Sequence, residues 1–209
     1  MSESKQKAAA NVQAKAAALL ITEGALVELS VADAREVVSY MQPQLIEAGN
    51  VITREGEERQ SDFMALVLDG EVTVESTGTA NDSMVVSVLG PGSLIGAMGV
   101  LDGGARSATC TAATDLALAI LSRDSMTRLV EKHPQVASRL LMAICKRIAD
   151  HLRDTNRKLM TFVQVSKALQ EELNAVHAVN HKLMDEIAAL KSAAAPPKDP
   201  APPKAPAAP

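Results

Sequence analysis

The sequence predicts an α+β fold: a sandwich or barrel of short strands flanked by helices, continued by one long C-terminal helix and a disordered tail. Three observations carry this. Between Leu45 and Leu121, short apolar runs alternate with turn residues at regular spacing. From His133-Pro134 to Ala195 no Gly or Pro interrupts the chain, and apolar residues recur with a period of seven. The last stretch, SAAAPPKDPAPPKAPAAP, is Ala/Pro/Lys low complexity with nothing to fold around. At 209 residues there is room for one domain with an extension or for two small ones. The segments read as a helical 1–29, a β-domain over 30–133, a long helix over 134–192 and a tail over 193–209.

In chain order, residues 1–29 read as an Ala-, Lys- and Gln-rich helix ending near Gly24, with a modest apolar side of Val12, Ala16, Leu19 and Leu20. Ser30-Val31-Ala32-Asp33 is a capping-box-like start to a second helix, with Val37, Val38 and Met41 at helical spacing and Pro43 as the stop. Strands follow. Ile46 and Val51-Ile52 lead to a turn at Glu55-Gly56. MALVLDGEVTVE reads as a hairpin, two apolar runs joined at Asp69-Gly70. STGTAND is a polar loop, MVVSVL a strand, and SATCTAAT and LALAIL complete the set. Ser122 caps a short helix through Val130, and Pro134 takes the first position of the last helix.

That last helix carries a sustained seam. In a seven-residue register the a positions are Cys145, Leu152, Leu159, Ser166, Leu173, Asn180 and Ile187. The d positions are Leu141, Ile148, Thr155, Phe162, Leu169, Val176, Leu183 and Leu190. About 45 residues at 1.5 Å each span roughly 70 Å, too long for the core helix of a small domain. Such a rod needs a partner, so a coiled-coil homodimer through residues 141–190 is expected. A single Asn at an a position fixes register in parallel dimers, and Glu186 (g) can pair with Lys191 (the next e) of a second copy. Val163 and Val165 widen the seam, for contact with the β-domain or with further helices. Thr155, polar at a d position, either touches a ligand or bonds back to its own helix.

The stretch with chemistry in it is LGPGSLIGAMGVLDGGARSAT, Leu89 to Thr109. A Gly-Pro-Gly corner leads to an apolar strand, a small-residue turn, and then Arg106-Ser107-Ala108 opening another strand. Glycines let the backbone approach something closely or take positive φ. An arginine beside a hydroxyl after such a turn suits one oxyanion, because a guanidinium grips phosphate in a planar fork and exposed N–H groups complete the cradle.

This stretch resembles the phosphate-binding cassette of cyclic-nucleotide-binding domains of the bacterial cAMP-receptor type, whose pattern is roughly Gly-Asp-Phe-x-Gly-Glu-x-(Gly/Ala/Ser)-Leu, a variable turn, then Arg-Ser-Ala. Gly92, Gly96, Gly99, Arg106, Ser107 and Ala108 fall in place. The likeness extends over about residues 30–160, through EAGNVITREGEERQSDFMALVLDGEVTV upstream and the helix from His133-Pro134 downstream. It implies a small jelly-roll β-barrel and a parallel dimer through the long helix. Arg106 and Ser107 would hold a cyclic phosphate, aided by backbone at Gly96, Ala97 and Met98 and by Ala108. Thr155 and Asn156 would meet the base. One position departs: the family glutamate that accepts the ribose 2′-hydroxyl aligns with Ala97. Losing such a bond costs about 1.5–3 kcal/mol. Binding is then weakened, or the roomier pocket suits a ligand with a second anionic group, or the pocket is a relic.

Composition bounds the rest. Hydrophobic residues make up 47% but aromatics only 1%, so the core is Leu, Val, Ile, Ala and Met. A formal charge of −4 gives no general attraction to nucleic acid or acidic membranes. Cys110 and Cys145 form no motif, which suggests a reducing compartment. With no signal peptide and no apolar run near twenty residues, a soluble, cytoplasmic protein without membrane contact is expected. No nucleophile, base and orienter form a catalytic set, so no enzyme is expected. His177 and His181, spaced i, i+4, read as solvated surface rather than a metal site. Family regulators place a winged helix after the dimer helix, and residues 192–209 leave no space for one, so no DNA contact is expected. The expectation is a cyclic-nucleotide receptor for cAMP or a related ligand, needing no other cofactor, that signals through its coiled coil to an unidentified protein partner. The competing reading is a ligand-blind scaffold.

Overall fold

The computed structural model describes residues 3–58, 62–77 and 83–193. The tail expected to be disordered and most of the STGTAND loop lie outside the described residues. The elements are α1 (Glu3–Leu20), α2 (Val31–Ser39), β1 (Gln42–Ile46), β2 (Val51–Thr53), β3 (Phe63–Asp69), β4 (Val72–Thr77), β5 (Ser83–Leu89), β6 (Leu94–Ile95), α3 (Ala97–Asp102), β7 (Thr109–Ala112), β8 (Leu116–Ser122), α4 (Arg123–Lys132) and α5 (Pro134–Ala193). The chain divides into two units, 1–153 and 154–209.

In the first unit, the strands form two antiparallel sheets with orders β1-β8-β3-β6 and β2-β7-β4-β5. This is a jelly roll flanked by helices, as expected. β3 explains the architecture best. Its alternate side chains face different layers: Met64, Leu66 and Leu68 join the cluster shared with the helices. Ala65 and Val67 join the cluster between the sheets. A strand buried on both faces reads as a continuous apolar run.

The hairpin expected at Asp69-Gly70 is not one. β3 pairs with β8 and β6, while β4 pairs with β5 and β7, so the turn carries the chain from one sheet to the other. Gly70 has φ +85°, and a Cβ there would lie 2.3 Å from the Asp115 carbonyl oxygen. The β7–β8 connection lies so close to this corner that only glycine fits. The true hairpin is β4–β5.

The helix-start signals are more local and hold, whereas α2 ends at Ser39 and Pro43, the expected stop, lies inside β1. Ser30 caps α2, its hydroxyl accepting from the Asp33 N–H at 3.1 Å. Ser122 caps α4 in the same way, accepting from Ser125 N–H at 3.2 Å. Pro134 opens α5. α1 stops at Leu20 rather than near Gly24, and the Thr22 hydroxyl donates to Leu19 O. Gly24 instead lies against the Gly92 backbone, where a Cβ would stand 2.8 Å from an oxygen.

The first turns of α5 bury Ala137, Leu140, Ala143 and Ile144 in the helical cluster. Cations fasten the same stretch. Arg139 Nη1 meets Asp33 Oδ1 at 2.8 Å, Lys146 pairs with Glu28, and Arg147 Nη1 donates to Ala25 O at 3.1 Å. In the second unit, α5 residues 154–191 are exposed throughout. None of the described helices is long and apolar enough to cross a membrane.

Candidate functional site

The cassette begins with β6, paired to β3 through Leu94 and Ile95. The small-residue turn expected next is a helix: α3 runs from Ala97 to Asp102, with Gly96 in its N-cap position at φ +70° and Gly103 in its C-cap position at φ +67°. Glycine at both ends lets six residues of helix fit between two sharp bends. The first-turn N–H groups of any helix lack intrahelical partners.

Arg106 arrives from the strand side. Its backbone N–H donates to Glu57 O at 3.1 Å and its carbonyl accepts from Gly56 N–H at 2.8 Å, so the 54–58 turn grips it from both directions. The side chain turns inward and is only 7% exposed. Its carbon Cζ lies 4.3 Å from the centre of the Phe63 ring, and Nη2 donates to Phe63 O at 3.1 Å. Ring and carbonyl of one residue therefore hold the guanidinium by charge–quadrupole attraction and a hydrogen bond. Gly96 completes the seat, since a Cβ there would lie 2.0 Å from Nη1. Only glycine fits.

Two donors of this buried cation, Nε and Nη1, have no hydrogen-bond partner among the described residues. Buried polar groups are nearly always satisfied, and a buried charge more so. Burial pulls the Arg106 pKa below the ordinary arginine value, opposed by Cys110, Asp62 and Glu57. An arginine nonetheless stays charged in a protein. Burial in turn pushes the Cys110 thiol above its usual value, against a Thr53 hydrogen bond and the nearby Arg106. The donor set fits an oxyanion: one fixed cation offering two unused N–H directions in a desolvated place.

The structure thus brings together Gly96 and Arg106 with Phe63, while Ala97 packs against the helical cluster. Ala97 is half-buried, Met98 is 45% exposed, Ser107 is exposed, and the Ala108 carbonyl accepts from the Thr53 hydroxyl at 3.3 Å. Thr155 and Asn156 are exposed residues of α5 in the second unit. Sequence reasoning missed two supports. Phe63 had a faint signal, being one of only two Phe in the chain. Arg123 had none: its Nη2 donates to Leu101 O at 2.7 Å and its Nε to Val100 O at 3.4 Å, closing the carboxyl end of α3.

A jelly roll whose buried arginine rests against a glycine at the start of a short helix has the chemistry of a small-anion site. Residues 43–133 match the family model of the cyclic nucleotide-binding domain. The cyclic AMP receptor protein of Thermus thermophilus is 30% identical over 161 residues, 73% of this chain and 71% of that one. The chain belongs to the cyclic nucleotide-binding family. A cyclic nucleotide-binding domain from Methylobacillus flagellatus superposes with a TM-score of 0.62 at 24% identity, covering 73% of this chain and 84% of the other, a likeness of fold. The regulatory domain of Toxoplasma gondii PKA, solved with cAMP, matches at TM-score 0.51 and 26% identity over 56% of this chain and 44% of that one.

Proposed function

We propose that this chain is a homodimeric receptor in which the jelly roll senses a cyclic nucleotide of the cAMP kind and the α5 stalk passes the result to a protein partner. The observation that carries the reading is Arg106, a buried cation with two donors unsatisfied. Those donors would take the cyclic phosphate, with Ser107 and the backbone at Gly96–Met98 beside it. Thr155 and Asn156 would sense the base. Similarity to a protein described as a cyclic AMP receptor supports cAMP as the first ligand to try.

The dimer rests on the stalk. Its apolar a and d residues from Leu152 to Leu190, Phe162 among them, are 47–70% exposed in the single chain, a row of apolar surface that a second copy would cover. A parallel, in-register arrangement places Glu172 by His177 and Glu186 by Lys191 of the second chain, with no like charges opposed. Ligand occupancy changes the stalk only if the ligand binds one stalk arrangement better than another. We place the protein in the cytoplasm, with no catalysis and no DNA or membrane contact of its own.

Calorimetry with cAMP, cGMP and cyclic dinucleotides tests the reading. Heat that disappears in Arg106→Ala is expected. Silence from the wild-type chain with all of them would leave the ligand-blind scaffold, the reading that Ala97 favours.

A further inference from the structure

Beyond its a and d seam, the stalk carries apolar residues on its flanks. Val163 and Met184 stand at e positions and Val165 and Val179 at g, and all four are 51–68% exposed. Flank positions of a two-stranded coil are usually charged and lie at its rim, in water. In the proposed parallel pair Val165 neighbours Gln170 and Val163 neighbours Lys158, so one partner helix leaves both valines at a wet rim. The apolar flank residues gather in two zones, about Val163–Val165 and about Val179–Met184, with Gln170, Glu172 and His177 on the flanks between them. The charges divide in the same way. Residues 154–168 carry Arg157, Lys158 and Lys167 against Asp154, whereas 169–191 carry Glu171, Glu172, Asp185 and Glu186 against Lys182 and Lys191. The near half of the stalk is basic and the far half acidic.

A stalk laid end for end against another sets these unlike halves together, which favours association. It also changes which flanks meet, since g then faces g and e faces e. With the crossing level with Glu172, Val165 meets Val179 one heptad to either side, and Lys158 meets Glu186 two heptads away. On the other flank Val163 and Met184 come to nearly the same level. Apolar flank thus meets apolar flank and cation meets anion. We infer that the flanks of the stalk are a second pairing surface, on which two parallel dimers dock antiparallel to form a tetramer. This rests on the homodimer reading above and extends it. The occupant is a second copy because the pattern complements its own reverse. The flanks offer fewer apolar side chains than the a and d seam, so tetramers form at higher concentration than dimers. At the crossing Glu172 faces its own copy, a like-charge contact that weakens the step further.

Sedimentation equilibrium of the full chain, from micromolar to near-millimolar concentration, reads the two steps separately. In the wild type dimers pass to tetramers as concentration rises. Val165→Glu, whose neighbour in the parallel pair is Gln170, abolishes the tetramer and keeps the dimer. Lys158→Glu weakens the dimer–tetramer step about tenfold, and adding Glu186→Lys restores it. Glu172→Gln strengthens the same step about threefold or more. Dimers that never grow overturn the inference and leave the dimer reading intact, whereas monomers throughout overturn both. Tetramers that survive Val165→Glu unchanged overturn the flank as the surface. A Lys158→Glu defect that Glu186→Lys does not relieve overturns the antiparallel arrangement.

Discussion

The cassette and the stalk have opposite shortfalls. Around Arg106 a charge is buried with two donors unsatisfied, whereas along α5 beyond residue 153 apolar side chains lie open to water. The first calls for an anion and the second for a hydrophobic cover. The early turns of α5 supply the control: there Leu140 and Ile144 are fully buried against the chain's own core. A helix with one continuous sequence character thus meets two environments. An unmet requirement of either kind is a more useful sign of function than a satisfied one, because folding alone gives no reason to keep it.

The largest expected effect breaks the cassette side of the comparison. Arg106→Met removes two potential charge-assisted bonds of about 1.5–3 kcal/mol each, so cAMP affinity measured by calorimetry falls on the order of a hundredfold or more. The same change removes a poorly satisfied buried charge, so the ligand-free melting temperature holds or rises. A structural arginine would behave the other way. Gly96→Ala gives comparable loss of binding but also lowers stability by about 1–3 kcal/mol, because a Cβ at φ +70° meets the guanidinium at 2.0 Å.

The stalk side comes next. Leu169→Ala combined with Leu173→Ala removes about 2 kcal/mol or more per covered leucine, enough to drive the dimer toward monomer in light scattering at micromolar concentration. A dimer of undiminished affinity would mean that the pairing surface lies elsewhere. Asn180→Leu should strengthen association while loosening its specificity, giving species larger than dimers in the same measurement.

The smallest effect concerns the fastening of α5. The Ser30 hydroxyl, followed by Arg139, holds the buried Asp33 carboxyl below the usual carboxylate range, against the opposing pull of burial. A depressed folded-state pKa contributes stability above the unfolded value of about 3.9, and that contribution is lost as pH falls through the folded value. Asp33→Asn therefore lowers the melting temperature by a few degrees at pH 7. The difference from wild type should shrink in acid.

What could be read from the sequence was what local chemistry decides. Ser30, Ser122 and Pro134 mark helix starts because a hydroxyl cap or a missing N–H acts within one turn. Gly96 and Arg106 stood out because few residue types serve at a positive φ or at an anion. Pairing of β3 was not legible: Asp69-Gly70 has the chemistry of a hairpin turn, but burial on both faces decides which strands lie beside it. α3 was hidden because Gly99, Gly103 and Gly104 argue locally against a helix. Phe63 and Arg123 support the cassette from 43 and 22 residues away from their partners, a relation no spacing rule encodes.

The central claim is that Arg106 keeps its Nε and Nη1 donors for a ligand's phosphate. Nitrogen-15 spectroscopy of the arginine side chains reads this directly, with Arg106→Lys assigning the Nε–H resonance. The account predicts that the Arg106 Nε–H is protected from solvent exchange in the free protein and that its shift moves as cAMP is added to saturation. A resonance that stays in place while cAMP binds, or that exchanges freely with water throughout, would contradict it.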